Sequence, residues 1–116
     1  MYRPLAAALA LVAGSATADP AEIVAAKALA GPGGWTVSVT LRHGDTGWVD
    51  YADGWRIVDE EGRVIGTRDL LHPHVTEQPF TRSLRVEALP DGPLFVESST
   101  SVTGWSGAPA LLDRHE

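Results

Sequence analysis

The sequence predicts an all-β protein: a single antiparallel β-sandwich of the immunoglobulin or fibronectin type, about seven strands, with no disulfide. Three observations carry that reading. From Trp35 to His43 apolar and polar residues alternate, with Trp35, Val37, Val39 and Leu41 on one phase and Thr36, Ser38, Thr40 and Arg42 on the other. That period of two belongs to a half-buried strand. Gly-, Pro- and Asp-rich turn signals recur at a spacing of roughly ten residues, while no element is assigned as a helix. The chain has no cysteine, which removes disulfides, thiolate zinc sites and iron–sulfur sites together.

Taken in order, residues 1–18 have the layout of a secretory signal. Arg3 precedes the apolar run Leu5–Gly14, and Ser15-Ala16-Thr17-Ala18 supplies small residues for cleavage before Asp19. A membrane span needs about 20 apolar residues, and this run is about half as long. Without a cysteine, no lipid-modified N-terminus is expected. Cleavage would leave residues 19–116 as one domain in the periplasm or the medium, with no insertion in the membrane. That mature chain holds eight Lys and Arg against fifteen Asp and Glu, a formal charge of −7. Nucleic acid as a partner is disfavoured, because binding it requires a basic footprint.

Ala21–Ala30 is alanine-rich and would suit a short helix on propensity, but Gly31-Pro32-Gly33-Gly34 stops it. An edge strand around Ile23–Leu29 is assigned there. The strand at Trp35–His43 runs into a turn-rich loop, Gly44–Gly54. Trp55–Val58 and Arg63–Thr67 flank the turn Asp59-Glu60-Glu61-Gly62 as a hairpin. Phe80–Val86 alternates again, with Arg82 on the phase of Phe80 and Leu84. Further strands are placed near Leu94–Ser98 and Ala110–Leu112. His115 is read as a solvated tail residue.

Two segments hold most of the chemistry-bearing side chains: His43–Trp55 and Leu70–Arg82. In order, DTGW, YADGWRIV, LLHPH and EQPFTRS between Asp45 and Ser83 resemble a family of small exported bacterial proteins of uncharacterised function. The resemblance implies fold and export rather than an activity. It also implies histidines at the positions of Asp50 and Thr103, so a multi-histidine site would be reduced in this chain.

His72-Pro73-His74 is the strongest metal-type signal. Proline keeps His72 out of the α region, so the tripeptide is extended and its two imidazoles share a face. With His43 as a third nitrogen and Asp45, Asp50 or Glu77 completing the shell, the set would suit copper or zinc. The alternative is a stiff polar connector whose imidazoles bond loop carbonyls. Arg82, on an apolar phase, calls for a carboxylate from Glu77, Asp45 or Asp53. A salt bridge pinning the loops is preferred there to an anion site. Trp48, Tyr51 and Trp105 form a candidate surface platform for a ligand or partner, and Trp55 is assigned to the core.

Catalytic signals are sparse. The hydroxyl run Ser98-Ser99-Thr100-Ser101 has no nucleophile-elbow spacing, and no Gly-rich phosphate loop leads into a helix. The expectation is therefore an exported, non-enzymatic binding or interaction module for an unidentified protein or small ligand. A periplasmic copper- or zinc-binding protein is the second reading.

Overall fold

The computed structural model describes residues 19–116. The signal-peptide assignment over residues 1–18 lies outside them. Eight strands form two four-stranded sheets: β1 Glu22–Gly31, β2 Gly34–Arg42, β3 Ala52–Asp59, β4 Val64–Asp69, β5 Phe80–Val86, β6 Leu94–Thr100, β7 Gly104–Leu111 and β8 Asp113–His115. One sheet runs β5-β2-β1-β8 and the other β4-β3-β6-β7. First, second and fifth strands on one sheet, with third, sixth and seventh on the other, is the partition expected of an immunoglobulin-like sandwich. The fourth strand extends the second sheet beside the third.

Each strand forms where its side chains have a face to bury. Val37, Val39 and Leu41 of β2 are all buried, as are Trp55 and Ile57 of β3, Phe80 of β5, and Leu94 and Val96 of β6. These inner faces meet as one core, closed at its margins by Leu70, Leu89 and Leu112. The hairpin between β3 and β4 turns through Gly62 at φ +85°, a conformation that β-carbon-bearing residues adopt reluctantly. Between β1 and β2, Gly34 packs so closely under the Val86 carbonyl that a β-carbon would collide with it.

Three sequence expectations are revised. The first strand is not an edge, because β8 pairs with it in parallel from Lys27↔Asp113 to Leu29↔His115. The sandwich is thus antiparallel with one parallel exception, and His115 belongs to a strand rather than a free tail. The seventh strand begins at Gly104 instead of near Ala110, so Trp105 sits on a strand and not in a Gly-rich loop.

Registry decides what meets at each end. Leu41 pairs with Phe80, Glu22 with Arg42, Gly54 with Asp69 and Ala52 with Thr100. Two of the four connections that cross between the sheets, residues 43–51 and 70–79, therefore emerge at the same end, beside the turn 101–103.

Candidate functional site

Asp45 organises that end. It lies three residues beyond the end of β2, and its side chain is wholly buried. Oδ1 accepts the His43 Nδ1 proton at 2.6 Å and the Ala52 amide at 3.0 Å, while Oδ2 accepts the His74 amide at 2.8 Å. One carboxylate thus ties the end of β2, the start of β3 and the second crossover loop together. Bonds to a carboxylate are the strong kind, and here they hold three chain segments in one geometry.

His43 is equally occupied. Its Nε2 faces the Asp19 carbonyl at 3.0 Å and Asp50 Oδ1 at 3.6 Å, and its backbone amide donates to Gln78 Oε1 at 2.9 Å. Gln78 in turn donates to the His74 carbonyl at 2.9 Å. His74 is buried and stacks on Phe80, with ring centroids 3.8 Å apart and planes 12° from parallel. Arg82 Nη2 donates to His74 Nε2 at 2.9 Å. Burial, and next the Arg82 charge, push the His74 imidazole below its ordinary pKa and keep it neutral. Because Nε2 accepts from Arg82, the ring proton sits on Nδ1, which is buried without a partner.

The Arg82 carboxylate is Glu77, with Nη2 to Oε1 at 3.1 Å, rather than Asp45 or Asp53. The Arg82 hydrogen bond holds the Glu77 carboxyl below the usual carboxylate range. Arg82 keeps 29% of its side-chain exposure and Glu77 55%, so the pair sits at the surface. Such pairs contribute less than about 1 kcal/mol.

The three histidines proposed as metal ligands are not brought together. The rings of His72 and His74 do share a face, with centroids 4.6 Å apart, as the extended His-Pro-His reading requires. His43, however, directs its nitrogens at Asp45 and Asp19, and Glu77 faces Arg82. A metal at His74 Nε2 would have to displace the Arg82 guanidinium. A metal at His74 Nδ1 would move the ring proton to Nε2, against that same donor. Among the described residues, no group of three or more His, Cys, Asp or Glu side chains is placed to hold a metal ion.

Anchored in this way, the first crossover loop makes a tight turn. The Asp50 amide donates to the Gly47 carbonyl at 3.3 Å and the Thr46 amide to the Asp50 carbonyl at 3.0 Å. Trp48 and Val49 occupy its two central positions and are 66% and 84% exposed. Tyr51 meets the Trp48 ring edge-on, with centroids 5.4 Å apart. Ser101 braces the turn from the β6–β7 side, its Oγ accepting the Tyr51 amide at 3.0 Å and donating to the Val49 carbonyl at 3.3 Å. Exposed Val102 follows directly. Trp105 is not part of this surface. It lies on the outer face of the second sheet, with the Arg56 guanidinium 4.1 Å from its ring centroid and Glu97 paired to Arg56 at 2.8 Å.

The sequence offered Asp45 as a partner for Arg82 or a metal ligand and not as the organiser of these loops. The available signal was a histidine at a strand end on the apolar phase, followed at i+2 by a carboxylate.

Comparison with known proteins adds one relative. A protein of Halomicrobium mukohataei named "Putative lipoprotein" is 40% identical over 78 residues, which cover 66% of this chain and 38% of that protein. The chain therefore spans well under half the length of the relative it matches. No protein-family model matches the chain, and no solved structure matches it.

Proposed function

We propose that the chain is an exported, non-enzymatic binding module that captures a protein partner at the sandwich end carrying Trp48. The observation behind this reading is the contrast within one loop. Asp45 is wholly buried and fixes the loop through three hydrogen bonds, while Trp48 and Val49 stand in solvent three and four residues later. A large apolar side chain held rigidly outward loses little conformational entropy on binding, which favours affinity. Aromatic anchors of this kind dominate binding energy at interfaces.

Export is supported by the signal-type N-terminus and by the relative's printed name. The non-enzymatic reading rests on how the polar side chains are used. His43 and Asp45 resemble the orienting half of a catalytic triad, yet His43 Nε2 faces a backbone carbonyl where a nucleophile would stand. Ser98 Oγ donates to the Ala21 carbonyl at 2.7 Å, and Thr100 Oγ1 bonds Thr103 Oγ1 at 2.7 Å.

The test is affinity capture from the producing cell's envelope by immobilised residues 19–116. Trp48→Ala is expected to weaken retention of a specific partner by at least about tenfold, the scale of an aromatic anchor. Trp105→Ala, which leaves the loop untouched, is expected to retain it. If Trp48→Ala and the parent chain capture the same proteins equally, the reading fails.

A further inference from the structure

Beside the Trp48 loop, between β4 and the second crossover loop, lies a small cavity of about 100 Å³ lined by Arg68, Leu70, Leu71, His72, His74 and Arg82. Its charged lining is cationic, Arg68 and the Glu77-paired Arg82, and includes no carboxylate, in a chain whose formal charge is −6. From this lining we propose that the cavity binds a single small oxyanion, a carboxylate or phosphate group, held by Arg68, Arg82 and His74.

Three observations converge on that chemistry. Arg68 is half-buried, and its hydrogen bonds end on carbonyl oxygens, Ser83 O at 2.9 Å and Asp69 O at 2.7 Å. Its charge has no carboxylate partner among the described residues, a state it shares with Arg85 and Arg114, whereas Arg42, Arg56, Arg63 and Arg82 each have one; of those three, Arg68 is the one that lines this cavity. A half-buried guanidinium without a counter-charge is costly, and its planar donor fork matches an oxyanion. The second observation is His74. The proton on its buried Nδ1 has no acceptor among the described residues, and an orphaned buried donor calls for one. The third is size. A water molecule takes up about 30 Å³ of liquid, so about 100 Å³ is room for a headgroup of a few atoms. Leu70, 4% exposed, walls the cavity with apolar surface, where screening is weak and charge pairing stronger than in water. His72, exposed beside it, supplies a further ring at the rim.

The site goes beyond partner capture at Trp48 and is tested without touching that loop. Inorganic phosphate and acetate are titrated separately into ¹⁵N-labelled residues 19–116 at constant ionic strength, with amide, arginine Nε–H and histidine ring signals followed. The expected result is saturable binding of at least one probe, about millimolar or tighter, which is reachable for a ligand of about five atoms. The shifts should centre on Arg68, His74 and Arg82, with a downfield His74 Nδ1–H signal emerging on binding. Whichever probe binds identifies the headgroup class.

Arg68→Gln is expected to weaken binding at least about tenfold, because it removes the guanidinium. Arg63→Gln, which removes an equal charge from the exposed β3–β4 turn, should leave binding unchanged. If Arg68→Gln does not fold, Arg68→Lys replaces it. That variant should bind at least about threefold more weakly than the parent, since a point charge does not reproduce the fork. Saturation by neither probe, full-strength binding by the folded Arg68 variant, or equal weakening by Arg63→Gln would each overturn the proposal.

Discussion

Asp45→Ala is expected to destabilise residues 19–116 by about 3–5 kcal/mol, the scale of breaking a buried hydrogen-bonded pair by removing one member. The wholly buried carboxylate accepts from three donors: His43 Nδ1, the Ala52 amide and the His74 amide. Truncation orphans all three, and each buried donor left unpaired costs about 1–3 kcal/mol, less whatever a water entering the vacated space restores. Against the roughly 5–15 kcal/mol that holds a domain folded, this is a large fraction. Asp45→Asn keeps one acceptor oxygen but sets an NH₂ against a donor, so its loss should fall between parent and Ala. Urea unfolding at pH 7 checks both, with an unchanged slope confirming that stability and not compactness has moved. A loss below about 1 kcal/mol for the alanine variant would mean that Asp45 does not hold the loops.

Trp55→Ala should have an effect of the same size for a different reason. Trp55 is fully buried in β3 at the centre of the core, and truncating a buried tryptophan costs about 3–5 kcal/mol through lost burial and the cavity left behind. Its indole Nε1 is buried with no hydrogen-bond partner among the described residues, so the native residue already carries a desolvation cost. Trp55→Phe removes that unpaired donor while keeping most of the apolar volume. It should therefore cost much less than alanine, about 1.5 kcal/mol or under, as shape-conserving core changes do. Equal losses for Phe and Ala in the same unfolding series would show that the indole nitrogen has a partner and that the cost is not volume alone.

The sandwich was legible wherever a strand has one dry face and one wet face. In β2, Val37, Val39 and Leu41 point inward and the polar residues between them pair across to β5, as in Ser38 Oγ to Ser83 Oγ at 2.9 Å. Alternation is the direct imprint of that arrangement. The start of β7 was illegible because side chains do not define it. Gly104 and Gly107 both have positive φ, and the segment is held by backbone pairing, Ser98↔Ser106 to Thr100↔Gly104. The inner position of β1 depends on β8, whose Asp113–His115 lies more than eighty residues away in sequence, and no local pattern encodes so distant a partner.

At the functional end, the sequence showed which residues were present but not where their polar atoms point. The shared face of His72 and His74 followed from Pro73, a local constraint. The demands of Arg82 on Glu77 and His74, and of Asp45 on the His74 amide, are set by tertiary registry. They turn what reads as a three-histidine metal set into a hydrogen-bonded brace.

The central claim is that the Trp48 loop is pre-organised by this brace, and amide hydrogen exchange on residues 19–116 tests it most directly. The Ala52 and His74 amides, both bonded to Asp45, should exchange as slowly as core amides such as that of Val39, opening only with global unfolding. In Asp45→Asn at least one of them should exchange faster than those core amides. Parent-chain Ala52 and His74 amides that exchange at the rate of an unprotected loop, while Val39 stays protected, would contradict the account.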